Sequence, residues 1–480
     1  MELQLAPILP EIVLLAAACV VLVVDLFLPD AKRHVSYWLT QLALLGTAWL
    51  VLATASQDPV RAFGNMVVDD MVADLLILFS LVAVSLSLFY GRHYLVARGL
   101  FRGELFVLLM FAALGMMVMI SASHFLTLYL GLELMSLSTY ALVALHRDQA
   151  APAEAAMKYF VLGAMASGLF LYGVSMIYGA TGALDVDLVM QATMAGAGNR
   201  TLLVFGLVFV LSGIAFKLGV VPYHMWIPDV YHGAPTPITL VIGTATKLAA
   251  FALTLRVLAR ALAGIEFDWQ GMLIVLSLLS MVLGNVIAIA QTNIKRMLAY
   301  STIANMGYML LGFLAADAAG LSAALFYAVT YVITSLASFG IVLLLTREGF
   351  EADSLDDYRG LNQRSPWWAF MMLLVMFSLA GVPPTVGFYA KFAVFEAAIN
   401  AQFLWLTVLA VLTSVIGAFY YLRIVKLMYF DEPVDRSPLE ANGDARALLS
   451  VNGLALLALG ILPQPLMGLC AIALAQSQFH

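Results

Sequence analysis

The chain has 480 residues, 63% hydrophobic and only 11% charged, with a mean hydropathy of +0.98. A water-soluble protein of this length needs far more charge to cover its surface, so the composition excludes one and implies a polytopic membrane protein. The net charge of −6 says less than the placement of the individual charges.

The first segment, MELQLAPILPEIVLLAAACVVLVVDLF, has no basic leader, carries Glu2 and Glu11, and is long enough to stay in the bilayer. It reads as a retained span rather than a signal peptide. From there, runs of about 20 apolar residues between short polar breaks predict an all-α fold of fourteen transmembrane helices. They cover 7–28, 36–55, 70–91, 104–121, 124–145, 154–179, 201–230, 236–262, 269–291, 296–316, 319–346, 367–399, 403–429 and 447–474. Cys19 and Cys470 both fall in apolar runs with no metal or redox spacing, and read as packing residues.

If the spans begin outside, fifteen lysines and arginines lie on the cytoplasmic side, Lys32, Arg33, Lys295, Arg296 and Arg436 among them. Only Arg61, Arg200, Arg256 and Arg260 lie outside. That asymmetry places both termini on the outer side. The remaining basic residues, Lys158, Lys217, Lys247 and Lys391, fall inside predicted spans. A charged lysine at a helix centre costs about 2.5–3.5 kcal/mol on insertion scales, so four of them call for a reason.

The two halves of the chain are alike. AAMKYFVLGAMASG at 155–168 is similar to AALFYAVTYVITSL at 323–336, and LGVVPYH at 218–224 to AGVPPTV at 380–386. Spans 4–8 and 9–13 then form two five-helix repeats, and an odd number of helices per unit inverts the second copy. The expected division is a three-helix segment at 1–102, the first repeat at 103–262, the second at 263–429, and a loop with a final helix at 430–480. Spans 7 and 12 are long for a hydrocarbon core of about 30 Å. Pro222 interrupts the first, and Pro383 with Pro384 the second. Each proline removes a backbone donor and opens the helix, as a break lined by protein or water or as a simple kink.

Chemistry points to the same places. Glu133 lies in YLGLELMSLS of span 5, Lys217 just before the first break, Lys247 in GTATKLAAF of span 8, and Lys391 just after the second break. Excluding water weakens an ammonium's hold on its proton, and a nearby carboxylate strengthens it. Moving such a charge switches a lysine between holding and releasing a proton, whereas a fixed ion pair only orients helices. Lys158, four residues after Glu154, reads as an intrahelical ion pair or as part of a proton path. His224 reads as a relay or as a structural hydrogen bond. Asp229 and His232 read as solvated interface residues and Glu104 as a boundary residue. Asp25, Asp74 and Glu396 are access-path or peripheral groups. GxGxxG, Walker, CxxC and HExxH patterns are missing from the sequence, which predicts no cofactor or metal in this chain. Energy for transport must then come from a partner or an ion gradient.

Glu133, Lys217 ahead of VVPYHMWIPDVYHGAPTP, Lys247, and Lys391 in AGVPPTVGFYAKF resemble the antiporter-like subunits of bacterial respiratory complex I over essentially the whole chain. The resemblance implies that Glu133 pairs with Lys217 and that Lys247 connects to Lys391 near the exit route. Lysine rather than glutamate at 391, and a chain that stops soon after span 14, fit one of that family's three members. It implies further that NADH, FMN, iron–sulfur clusters and quinone belong to partner subunits, and that the partners include other membrane subunits, neighbouring antiporter-like ones among them. A bacterial inner membrane location follows, with both termini periplasmic. Membrane subunits of cation/proton antiporters and membrane-bound hydrogenases share these elements, and an inert scaffold is a third reading.

Overall fold

Inside a bilayer a backbone amide has no water to bind, so each apolar run must satisfy its own hydrogen bonds as a helix. The computed structural model describes residues 5–56, 58–196, 198–433 and 443–479; Glu2 and Arg436 lie outside them. Thirteen described helices are long and apolar enough to cross a membrane. The fourteenth crossing is span 12, split into Pro366–Ala380 and Val386–Asn400, each half too short to cross alone. The predicted spans thus recur with ends shifted by a few residues.

Spans 8, 10 and 11 (Thr236–Ala261, Ile294–Leu314 and Ala318–Leu345) are almost wholly enclosed by other helices. Spans 1, 13 and 14 instead leave most of their residues at the surface. The enclosed spans carry much of the buried polarity, including Lys247, Lys295, Ser301, Thr302, Asn305, Thr330 and Thr334. Cys19 is exposed and Cys470 buried, in keeping with packing roles.

Four local features depart from the sequence reading. Span 8 is not continuous: Thr236–Gly243 and Ala245–Thr254 are separated at Thr244 (φ −125°, ψ −84°), and Leu255–Ala261 continues as a π-helix. Span 14 divides at Pro463 into Gly443–Ile461 and Gln464–Gln476. Between spans 2 and 3 lies a hairpin, β1 (Val60–Ala62) against β2 (Val67–Asp69), and after span 6 a short helix, Val186–Met194. These pieces knit onto the loop 121–124: Ser121 O accepts from Val68 N at 2.8 Å and Ser123 O from Val186 N at 3.0 Å. The result is a cap over one end of spans 3 to 6.

Arg256 is the fourth departure. The sequence reading counted it among the outer-side charges, toward the end of the predicted span 236–262. It is 2% exposed, within the π-helical turn, and both its Nη atoms donate to Asp70, at 2.6 and 2.9 Å. Arg260 reaches Asp187 at 2.7 Å, and Arg61 meets the other oxygen of Asp187. Span 8, the hairpin and the short helix are therefore tied by charge beneath the cap.

Removing one partner of a buried pair leaves the other charge uncompensated, at a cost of about 3–5 kcal/mol. Arg256→Ala is expected to lower thermal stability and the yield of folded chain in membranes by that amount. The double replacement Asp70→Leu with Arg256→Met recovers most of it. A thermal melt of the detergent-extracted protein checks both.

Candidate functional site

The two predicted breaks match in residue spacing and in their backbone hydrogen bonds. Span 7 runs Arg200–Leu218 and ends at Gly219 (φ +79°); the first half of span 12 ends at Gly381 (φ +83°). Both glycines are left-handed, a conformation that costs a residue with a Cβ about 1–2 kcal/mol. At the first break Gly219 N and Val220 N both donate to Ala215 O, at 2.8 and 3.0 Å. At the second, Gly381 N and Val382 N both donate to Phe377 O at 2.9 Å. Pro222 and Pro384 follow at equal spacing, and Trp226–Gly233 and Val386–Asn400 resume the helices. Pro222, Pro383 and Pro384 all lie on the exposed side of their breaks.

A helix that stops at membrane depth leaves carbonyls unpaired and the negative end of its dipole pointing into protein. A lysine answers this at each break. Lys247 Nζ donates to Lys217 O at 3.2 Å and Leu218 O at 2.9 Å. Lys391 Nζ donates to Leu379 O and Ala380 O, both at 3.0 Å, and to Ser414 Oγ at 2.9 Å. Counted from the glycines, Lys217 and Leu218 match Leu379 and Ala380, so the two ammonium groups hold equivalent carbonyls. Each also sits over an aromatic face, Lys247 at 5.2 Å from the Trp226 ring and Lys391 at 4.9 Å from that of Tyr308. Cations at helix C-termini gain up to about 2 kcal/mol in partly buried settings, and the ring faces add to this.

From sequence, Lys217 precedes its break and Lys391 follows its own, so the two breaks are not occupied alike. In the structure Lys391 corresponds to Lys247, and the second break has Leu379 where the first has Lys217.

Lys217 makes a different set of contacts. Its Nζ donates to Ser136 Oγ at 2.6 Å, and Ser136 in turn donates to Leu132 O. Ser136 stands one helical turn beyond Glu133 in span 5 (Phe125–Val143). Glu133 shares this neighbourhood but forms no ion pair with Lys217 among the described residues, and its Oε1 is buried without a hydrogen-bond partner. Lys217 therefore has two acceptors on one helix, of which the hydroxyl is occupied.

The secondary residues divide. Lys158 is exposed, bonding Glu154 and Asp229 at 2.8 Å each, and Asp229 also takes Arg296 at 2.9 Å. The intrahelical pair is present, and Asp229 is a charge bridge between spans 6, 7 and 10. His224 sits in the first break, half-buried, with Nδ1 buried and unpartnered. It contacts none of the central lysines among the described hydrogen bonds. Beside Lys391, a cavity of about 10 Å³ is lined by Asn305, Tyr327, Tyr331, Thr334 and Ser378, room for about one water. Around it hydroxyls pair closely: Tyr327 with Asn305 at 2.6 Å, Tyr331 with Thr302 at 2.7 Å, Tyr308 with Thr413 at 3.1 Å. Sequence reasoning missed Ser136 and Ser414. Ser136 had a signal, its one-turn spacing from Glu133; Ser414 had none.

An all-helical membrane protein whose broken helices expose carbonyls to buried lysines belongs to the class of ion-translocating subunits built on discontinuous helices. Residues 122–417 match the family model described as NADH:quinone oxidoreductase/Mrp antiporter, TM. The chain is 57% identical over 478 residues to NADH-quinone oxidoreductase subunit N of Thiobacillus denitrificans, covering 99% of this chain and 98% of that one. It is 56% identical to the subunit N of Herminiimonas arsenicoxydans, covering 99% of both. A chain of respiratory complex I from Thermus thermophilus has the same fold, with a TM-score of 0.82 and 33% identity over 96% of this chain and 99% of that one. The chain belongs to the NADH-quinone oxidoreductase subunit N family, as an antiporter-like membrane-arm subunit.

The break geometry generates one prediction. A Cβ at Gly219 would collide with Ile227 Cδ1, and one at Gly381 would press on Lys391, 2.9 Å from Cδ. With the left-handed strain of about 1–2 kcal/mol, Gly219→Ala and Gly381→Ala should both shift the lysines off their carbonyls. Proton-pumping rates of membranes holding each variant, normalised to assembled protein, are expected to fall several-fold.

Proposed function

We propose that this subunit conducts protons across the bacterial inner membrane through Glu133, Lys217, Lys247 and Lys391, driven by electron transfer from NADH to quinone in partner subunits. The observation that carries this reading is the pair of buried ammonium groups, Lys247 and Lys391, held on the cut ends of two helices. A backbone carbonyl binds an ammonium more strongly than the neutral amine, whose two hydrogens are weaker donors, and it offers no counter-charge. Such a site holds a proton without trapping it as a full ion pair would.

Switching resides in Lys217. With its ammonium on Ser136, it stands close to the helix end that Lys247 grips, and the two like charges repel. If Lys217 swings one turn along span 5 to Glu133, that repulsion falls and Lys247 keeps its proton. When Glu133 is neutralised or drawn away, Lys217 returns to Ser136 and favours release from Lys247. The proton then passes along the hydroxyl-lined interior of spans 10, 11 and 13 toward Lys391, which has its own carbonyl seat. Lys158 and His224 flank this route as secondary groups.

Spans 4–8 and 9–13, residues 103–262 and 263–429, act in this reading as two inverted units between an N-terminal segment at 1–102 and a final segment at 430–480. The basic-residue asymmetry supports periplasmic termini. The chain itself carries no redox group; NADH, FMN, iron–sulfur clusters and quinone are assigned to partners, and neighbouring antiporter-like subunits deliver the coupling.

Lys217→Ala and Lys247→Ala, made singly, are expected to lower NADH-driven proton pumping by about tenfold with the complex still assembled. Normal pumping by both variants overturns the assignment. Ser136→Ala is expected to slow pumping by a smaller factor, about two- to threefold, and Ser136→Thr to restore it. Vesicle acidification measured on native membranes, with assembly followed by native gel, distinguishes the four.

A further inference from the structure

A second group of titratable side chains lies away from the breaks, where the ends of spans 3, 7 and 10 meet the loop 346–355. Lys295, at the start of span 10, is 4% exposed. Its Nζ stands 3.8 Å from Glu351 Oε2 and donates one long hydrogen bond, 3.4 Å, to Thr236 Oγ1. Glu351 Oε1 is held by Arg98 at 3.0 Å and Tyr94 at 2.8 Å, while Oε2 is buried with no hydrogen-bond partner. On the same loop Asp353 faces His232 at 3.7 Å. His232, with Lys295 nearby, holds the Asp353 carboxyl below its usual range despite partial burial. Of the other charges near this end, Lys158 and Arg296 are both bonded to Asp229, and Arg347 and Glu348 lie on the loop itself, where Arg347 O accepts from Arg98.

Thr236 connects this group to the interior. It opens the first part of span 8, in which Thr236, Thr239 and Gly243 recur at intervals of three and four residues, along about 10 Å of axis. Lys247 follows just beyond the break at Thr244. Thr239 Oγ1 donates to Tyr231 O at 3.1 Å. The Tyr231 hydroxyl, buried and unpartnered, points at Gly243, 3.2 Å from where a Cβ would stand. A static ion pair would have no need of a buried carboxylate oxygen without a hydrogen bond at one end of such a stripe and a buried hydroxyl without one further along it.

We propose that Glu351, Lys295, His232 and Asp353 form the proton-collecting mouth that loads Lys247 through the seam formed by Thr236, Tyr231 and Gly243. This rests on the reading of Lys247 as a proton carrier. Glu351 takes a proton from the adjoining aqueous phase and becomes neutral. The proton moves along the seam to the neutral amine of Lys247, leaving Glu351 a carboxylate and Lys247 an ammonium. Lys295 keeps its charge throughout and draws Glu351 back to the ionised form.

The test uses the assembled complex in inside-out membrane vesicles, whose medium bathes this face in the orientation given above. A collecting group matters most where free protons are scarce. Glu351→Gln should therefore slow NADH-driven acidification about threefold or more near pH 8.5 and far less near pH 6.5, with Glu351→Asp restoring the rate. Gly243→Ala narrows the seam without touching a charge and should give the same pH-dependent loss, which also serves if Glu351→Gln fails to assemble. A loss equal at both pH values, or none, in an assembled variant overturns the mouth. Lys247→Ala runs alongside: if it is inactive while Glu351→Gln and Gly243→Ala pump normally, the mouth alone fails. If Lys247→Ala itself pumps normally, the proton-path reading fails and the mouth with it.

Discussion

A backbone carbonyl cut off from its helical partner at membrane depth must find a donor, and no water or lipid is guaranteed to supply one. The breaks of spans 7 and 12 leave such helix ends, and a lysine ammonium meets each. That requirement works in both directions. The carbonyls make a buried cation tolerable, and the cation makes a broken helix tolerable. Neither would persist alone in a hydrocarbon setting, where an unpaired charge costs several kcal/mol.

Around this constraint the rest of the architecture falls into place. Span 8 carries Lys247 and is enclosed on every side, so its ammonium cannot escape to solvent. Its departure from regular helix at Thr244, three residues before Lys247, sets the side chain against the first break. Its far end is pinned by the Arg256–Asp70 pair, and Asp70 sits at the start of span 3 where the hairpin ends. The cap is thus mechanically continuous with the lysine-bearing helix.

Much of this was legible in the sequence, for physical reasons. A bilayer imposes runs of about 20 apolar residues, so hydropathy alone located the spans. Proline cannot continue a helix, so Pro222, Pro383 and Pro384 marked both interruptions. Lysines inside apolar runs stood out by cost. What did not show were the partners. Carbonyl acceptors carry no residue signature, so the link from Lys391 to Leu379 and Ala380 could not be read from residue types. The sequence showed Lys217 before its break and Lys391 after its own, but not that Lys391 and Lys247 hold equivalent carbonyls. Arg256 and Lys295 lie near the ends of apolar runs and read as boundary charges, whereas burial of both depends on helices distant in sequence. The interruption at Thr244 has no proline to announce it.

Lys217 addresses two neighbours through two different parts of itself: its ammonium reaches Ser136, and its carbonyl receives Lys247. Replacing the residue deletes one connection and leaves the other, since any amino acid supplies the carbonyl. A twist of the last helical turn displaces both at once.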